Sequence, residues 1–510
     1  MRIKNIIKTL TVTCFVAVFA SSCSDWLAVD MEDEIMEDKL YETNEGFVAA
    51  LNGVYAKMIE TYSSTLSMTV LDVMAQYYNV AQNSRHSFYD YANYSFNESN
   101  VEKTSGNIWT GLYALIANLN LLLEHCDEPG AALKANYYPL VKGEALALRA
   151  MLHFDLLRIY GPIYSSTTEN NQTIPYEETT SKEIQPLLSS KVVMEKVIRD
   201  LEQAENLLKD DKIRTEGVMN AESENPNENA DLRYRQYRLN YYAVQALLAR
   251  AYLWVGNKGK AYEIAFNLIK ENKEKEIFPW TPKSDVQLAD KPDRIFSTEV
   301  MFCLYNSSRV KLFDMYFKKS ARISSSLTFV GETLGDDYGK LIYFYTDELD
   351  LRRGDNLWSE ETLEEADSNG TTSTQKALCF SKYADVPNNS IRYMVPLVRM
   401  SEVYLIAAEC ATDLSESIGY INEVRKNRNC VDIELEDSDT EEDILEYITA
   451  EFAREVIGEG QLYFYYKRHA MTEFISGTSF SYWGTTYTMD LQNYVWPLPK
   501  VEIDKRVTTN

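Results

Sequence analysis

The chain has 510 residues, 45% of them hydrophobic, and a formal net charge of −26. That apolar content supports a sizeable packed core, while the acidic balance argues against a nucleic-acid partner, because no basic patch offsets repulsion from phosphates. Seven cysteines without a CxxC spacing and four histidines without i,i+4 pairing supply neither a disulfide framework nor a metal motif.

Arg2, Lys4 and Lys8 precede an apolar run from Leu10 to Ala20 that ends in Ala20-Ser21-Ser22-Cys23. A basic start, a short apolar stretch and small residues before a cysteine read as a signal peptide over 1–22. Cleavage would leave Cys23 as an N-terminal lipid acceptor, with an ordinary secretory signal as the alternative. Removing the leader also removes three basic residues, so the mature chain is more acidic still. Residues 23–43 then form an acidic tether through Asp30, Glu32, Asp33, Glu34, Glu37 and Asp38.

A first helix is expected over 44–62, with Asn44 as N-cap and an apolar stripe of Phe47, Leu51, Val54, Tyr55 and Met58. Residues 63–103 lose helical period and are rich in Tyr, Asn and Ser, which predicts an irregular, solvent-facing excursion. Helices are expected over 104–126 and 131–160, the second stopped by Gly161-Pro162. After a polar loop, a helix is expected to begin at Ser190 and run to 210.

The stretch 240–272 reads as two amphipathic helices around Gly256 and Gly259. Ala243, Ala246, Leu247, Ala249 and Leu253 share one stripe, and Ala261, Ile264, Ala265, Leu268 and Ile269 share the other. The spacing of Tyr252, Gly256, Ala261, Ala265 and Leu268 resembles a tetratricopeptide hairpin. Such a unit cannot bury its own faces and needs stacked neighbours. Residues 273–395 lose helical period again, apart from a short strand at 298–305, and are expected to be mostly long loops, which tend to carry function. A hairpin returns at 396–428, followed by a helix over 441–457.

Taken in order, these pieces resemble the SusD/RagB family of outer-membrane nutrient-binding lipoproteins. The resemblance rests on Cys23, Glu45-Gly46-Phe47 with Gly53-Val-Tyr55, Trp109 with Tyr113 and Asn118, and Glu144 with Arg149 leading to Leu157-Arg-Ile-Tyr-Gly161. It continues through Ala249-Arg-Ala-Tyr-Leu253, Arg399 with Glu402, Ile421-Asn-Glu-Val-Arg425, Glu451-Phe-Ala-Arg-Glu455 with Glu459-Gly460, and Trp496-Pro497. One departure is Gly460-Gln461, where the family commonly carries Gly-Arg or Gly-His. Glu451, Arg454 and Arg468 read as members of buried ion pairs that fix the last helices.

The resemblance implies a mainly α fold: tetratricopeptide-like hairpins stacked on one side, from about 44–62, 104–160, 190–272 and 396–428, and a loop-rich ligand face from about 63–103 and 273–395. Residues 44–510 would form a single SusD-like domain. It also implies a lipid-anchored protein on the outer face of the outer membrane, which captures oligosaccharides and passes them to a SusC-like TonB-dependent transporter. The same role with oligopeptides, and a scaffold that only organises other proteins, remain as alternatives.

Tyr outnumbers Phe and Trp together, 36 against 19 and 7. A tyrosine offers a flat apolar face and a hydroxyl, suited to a sugar ring and equally to helix packing. Tyr77, Tyr78, Tyr89 and Tyr91 lie in the aperiodic stretch beside Asn79, Asn83 and Arg85. Aromatic platforms with interleaved amides and an arginine suit a neutral polyol or peptide backbone. Trp358 and Trp483 are further candidates. No GxSxG, GxxxxGK[ST] or HExxH occurs, and the reading is a binding protein without catalytic residues, metal or cofactor.

Overall fold

The structure is a computed structural model that describes residues 39–221, 230–318, 321–331, 333–335, 339–366, 369–477 and 486–508. The leader, Cys23, the tether as far as residue 38 and Trp483 lie outside the described residues.

The helices follow one another in space much as they do in sequence. We label them α1 (Asn44–Thr61), α2 (Ser99–Asp127), α3 (Tyr138–Tyr160), α4 (Ser190–Leu207), α5 (Tyr241–Trp254) and α6 (Lys258–Lys275). After a gap come α7 (Arg309–Tyr316), α8 (Met400–Cys410), α9 (Leu414–Lys426), α10 (Glu441–Glu455) and α11 (Gln461–Arg468). Each of α1 to α6 packs on the next; α6 then packs on α8, α8 on α9, and α9 on α10. The expected alanine stripe of α5 and α6 is the seam of this array, since Ala243, Ala246, Ala249, Ala261 and Ala265 are all buried. Small side chains let two helix axes approach closely. The same device recurs at Gly143 of α3, where a Cβ would sit 2.8 Å from Leu208 beyond the end of α4.

Caps set the helix starts. Asn240 accepts from Tyr242 N and Ala243 N, both at 3.0 Å, and its amide nitrogen donates to Arg235 O and Met301 O. It therefore stops one helix end and holds it to a strand with the same side chain. At α1 the cap is Thr43, which accepts from Gly46 N at 3.1 Å. Asn44, expected in that role, is already helical, and its carbonyl oxygen accepts from Lys134 N at 2.8 Å.

Against this array lie two small sheets. Strand β1 (Val300–Tyr305) pairs antiparallel with β5 (Met394–Arg399), and Val300, Met301 and Cys303 are fully buried. A second sheet has the order β2 (Thr328–Phe329), β4 (Thr372–Phe380), β3 (Trp358–Ala366), with β3 and β4 paired over nine residues each. The expectation of mostly long loops over 273–395 is therefore corrected at 358–380, while much of the rest of the segment is loop. The alternation Thr362-Leu-Glu-Glu-Ala366 against Thr372-Ser-Thr-Gln-Lys376 is a half-buried hairpin, and few apolar residues mark it because one face meets solvent. The expected solvent-facing excursion over 63–103 is also corrected. It opens with a π-helical turn (Tyr62–Met68) and a short helix (Val70–Met74), and every residue from Met68 to Tyr78 is buried.

At the centre sits a buried ion network. Glu455 of α10 accepts from Arg352 at 2.7 Å, from Arg399 of β5 at 2.9 Å and from Arg428 just past α9 at 2.6 Å. Arg428 also binds Glu299 at 2.6 Å, Arg352 binds Asp350 at 2.7 Å, and Lys382 shares Glu459 with Arg399. Glu451 pairs with Arg352, Arg425 and Arg454, whereas Arg468 finds Glu409 on α8. Cys410 and Cys430 are free thiols.

Candidate functional site

Residues 77–94 alternate between two environments. Their large rings turn inward and their amides stay at the surface. Tyr77 is 1% exposed and its hydroxyl donates to Ala453 O at 2.6 Å. Tyr78 packs edge-on against Phe317 with ring centroids 5.9 Å apart. Tyr91 is buried and its hydroxyl shares a hydrogen with Thr104 at 2.8 Å. Each buried hydroxyl meets a polar group of the protein, as desolvation of a phenol demands. Tyr77, Tyr78 and Tyr91 are therefore pegs that fasten this segment to the core, which differs from the platform role expected of them. Trp358 is the same: 1% exposed, its indole N–H bonded to Arg352 O at 2.9 Å and its ring packed 4.2 Å from Phe329. Tyr89 is half-buried, and Arg85 is exposed.

Backbone bonds lay the segment on the second sheet. Asn79 N donates to Thr328 O at 2.8 Å and Ser87 N to Ser324 O at 2.7 Å, while His86 Nε2 meets Ser326 O at 3.0 Å. Burial lowers the His86 pKa, although the bond to Ser326 opposes the shift, so the ring serves as a neutral strut. Beneath it, Lys340 is fully buried and donates to Gln76 O at 2.9 Å and Tyr77 O at 2.7 Å. Burial pulls that ammonium down to about 7. Gln76 has φ of 58°, a left-handed conformation uncommon outside glycine, and Lys340 pins the carbonyl that follows it.

The result is a cleft of about 200 Å³ lined by Asn79, Gln82, Asn83, Ile323, Ser326, Thr328 and Gln375. Its lining carries amides and hydroxyls and no ionisable group. The side-chain amides of Asn79, Gln82 and Gln375 make no hydrogen bond to a described residue. Each amide offers donors and an acceptor at once, as does a sugar hydroxyl, so the cleft can exchange paired hydrogen bonds with a neutral polyol. The structure thus brings Asn79 and its neighbour Asn83 into the cleft, places Arg85 and Tyr89 outside its lining, and leaves Tyr77, Tyr78, Tyr91 and Trp358 in the core. Gln375, Ser326 and Thr328 were not anticipated. They come from strands and turns more than 200 residues away along the chain, and nothing local in sequence joins them to Asn79. No group of three metal-ligating side chains occurs among the described residues.

Comparison with known proteins gives these features a family. Residues 25–221 match a model described as "Starch-binding associating with outer membrane", and residues 305–508 match one described as "SusD family". A curated relative, SusD-like protein P38 of Formosa agariphila, is 28% identical over 212 residues, covering 41% of this chain and 38% of that protein. The match thus spans well under half of that relative's length. A SusD superfamily protein of Bacteroides thetaiotaomicron has the same fold, with a TM-score of 0.67 and 20% identity, covering 91% of this chain and 98% of that one. A protein of Bacteroides vulgatus described as a SusD-like carbohydrate-binding protein superposes with a TM-score of 0.62 and 18% identity, over 90% and 96% of the two chains. With two family models matching on either side of the central hairpin and the helical array continuous between them, the chain belongs to the SusD family.

Proposed function

We propose that this protein captures neutral oligosaccharides at the outer face of the outer membrane, anchored through a lipid on Cys23, and delivers them to a SusC-like TonB-dependent transporter. The observation that carries the ligand class is the amide-lined cleft at Asn79, Gln82 and Gln375, whose free side chains match sugar hydroxyls and offer no charge to a peptide terminus. The family description, with its starch binding and outer-membrane association, supports the same reading. So does the carbohydrate-binding description of the B. vulgatus relative. The leader and acidic tether support the anchor. The role is binding without catalysis.

The test is calorimetric titration of a soluble form starting at Ser24 against neutral oligosaccharides (maltoheptaose, xylohexaose and mannohexaose) and against a pool of oligopeptides. Saturable binding to a saccharide is expected, weakened on the order of tenfold in the double variant Asn79→Ala, Gln82→Ala, which removes two amide partners from the cleft. Saturable binding to peptides with none to saccharides would replace this reading with peptide capture. The anchor is tested separately by metabolic palmitate labelling, which Cys23→Ala should abolish.

A further inference from the structure

A concavity larger than the amide cleft lies elsewhere, between the end of α6, the β1–β5 ladder and the turns before α5. It is a groove of about 1250 Å³. Three tyrosines from distant parts of the chain meet on it. Tyr305 is in the middle, with its ring centroid 5.9 Å from that of Tyr237 and 5.1 Å from that of Tyr393, both pairs tilted at 62°. Tyr305 is 52% exposed, an unusual state for a large ring fixed at the end of a paired strand, and its two neighbours are half-buried.

The three rings are held in place from behind. Tyr305 ends β1 opposite Met394, and Asn306 N donates to Tyr393 O at 2.8 Å. Gln236 donates to Ser297 O at 3.0 Å and to Val300 O at 2.6 Å, which fixes the turn that carries Tyr237. An aromatic face presented rigidly loses little conformational entropy when a ligand covers it.

The groove also gathers backbone strain. Nine non-glycine residues among the described residues have positive φ. Five of these, Met219, Tyr234, Glu276, Phe296 and Asn388, line the groove or adjoin a residue that does. Left-handed non-glycine residues cost energy and gather where a site needs the chain shaped in a particular way. At its far end Arg214 and Lys275 both bind Glu271, at 3.1 Å and 2.8 Å, and Glu216 meets Lys212 at 3.4 Å, while Glu276 also lines the groove. Asn220 is half-buried on the wall, and its side-chain nitrogen donates to Gln236 Oε1, which ties this wall to the turn that carries Tyr237.

We infer that this groove is a second saccharide site, separate from the amide cleft, in which the apolar face of a neutral sugar ring stacks on Tyr305. Tyr237 and Tyr393 flank the stacked ring. The inference rests on the oligosaccharide reading above. Its chemistry is complementary to the cleft: one site recognises a sugar by its hydroxyls, the other by its flat apolar face. Helix α7 joins the two regions. Arg309 at its start donates to Met394 O at 3.0 Å, and Tyr316 at its end packs 5.5 Å from the ring of Phe88. An eight-residue helix is about 12 Å long, so the two sites are near neighbours on this scale.

The experiment is affinity gel electrophoresis in soluble starch, xylan and galactomannan, with the wild-type protein, Tyr305→Ala, Tyr305→Phe and the Asn79→Ala, Gln82→Ala double variant. Tyr305→Ala is expected to weaken retardation on the order of tenfold in the gel that retards the wild type. Tyr305→Phe should restore retardation, because the ring face is kept. Combining Tyr305→Ala with the cleft variant should remove more than either does alone. Retardation of the wild type that Tyr305→Ala leaves unchanged, or a combined variant no weaker than the cleft variant, would overturn the second site and leave the capture reading standing. No retardation of the wild type in any of the three gels would overturn both. Tyr305 is half exposed, and circular dichroism of the alanine variant checks that it remains folded.

Discussion

Glu455→Ala is expected to destabilise the protein by about 4 kcal/mol or to prevent its accumulation as folded chain. The carboxylate touches three guanidiniums, those of Arg352, Arg399 and Arg428, each almost wholly removed from water. Taking one member from a buried ion pair costs roughly 3–5 kcal/mol, because the partner stays buried with its charge uncompensated. Here three partners would be left with fewer acceptors, although Glu299, Asp350, Glu451 and Glu459 still hold them in part. The measurement is the urea midpoint followed by far-ultraviolet circular dichroism. Glu446→Ala, on the exposed face of the same helix, should stay within about 0.5 kcal/mol of the wild type. A Glu455→Ala midpoint equal to that control would sink the argument.

The same carboxylate predicts an acid limit. Burial alone would raise its pKa, but Arg428, Arg399 and Arg352 outweigh burial and hold the carboxyl well below its usual 4.5. A depressed folded-state pKa contributes stability that is complete above 4.5 and lost as the pH falls below it. The wild-type urea midpoint should therefore decline from pH 5 towards pH 3.

Gly460→Ala is expected to be about as damaging, for a reason of shape. Gly460 has φ of 70°, and a Cβ built on it would lie 1.8 Å from Leu66 O, inside the backbone of the π-helical turn. Neither group is a flexible side-chain tip that could move aside. The left-handed conformation alone costs an alanine roughly 1–2 kcal/mol, and the clash must displace Leu66 or α11 in addition. Displacement would also break the bond from Gly460 N to Asp72 Oδ1, now 3.0 Å. Asp72 is fully buried, and burial pushes its carboxyl up to about 8 against the opposing bonds from Gly458 N and Gly460 N. A loss on the order of 4 kcal/mol is expected, read by thermal melting. Gly419→Ala serves as the control, since a Cβ there meets nothing within 4 Å and α9 should tolerate or welcome it. Equal melting points for the two variants would refute the steric account.

How far the sequence spoke depended on how local the signal was. Helices α5 and α6 were legible because alanines recur every three or four residues and Gly256 closes the turn with φ of 77°. The α10 signature was legible through its resemblance to the family, and with it the ion pairs of Glu451, Arg454 and Arg468, whereas the hub role of Glu455 was not. The hairpin of β3 and β4 was not, because its outer face is Glu, Thr and Ser and its inner face is short. The tyrosines at 77, 78 and 91 fitted two opposite readings, since a phenol can stack on a ligand or bury its ring and bond its hydroxyl to a carbonyl. Which one holds depends on what lies beneath, here Phe317, Phe344 and α10, all far away in sequence. The amide cleft and the tyrosine groove are both assembled from segments that only the folded chain brings together.

The ion network also sets an order of assembly. Arg352, Arg399 and Arg428 all precede Glu451, Glu455 and Glu459 in the chain. A polypeptide crossing a membrane N-terminus first therefore delivers its guanidiniums before most of the carboxylates that neutralise them. The helices of the first 275 residues pack on sequence neighbours and can stack as they arrive, whereas the central ladder must wait for the last 60 residues of the chain. Truncation after residue 440 should then leave a particle whose early helices resist protease while β1 and β5 are cut. Equal resistance of both parts would argue for a different order. On this account the C-terminus acts as a latch, and a chain that still lacks its last 60 residues cannot yet close its centre.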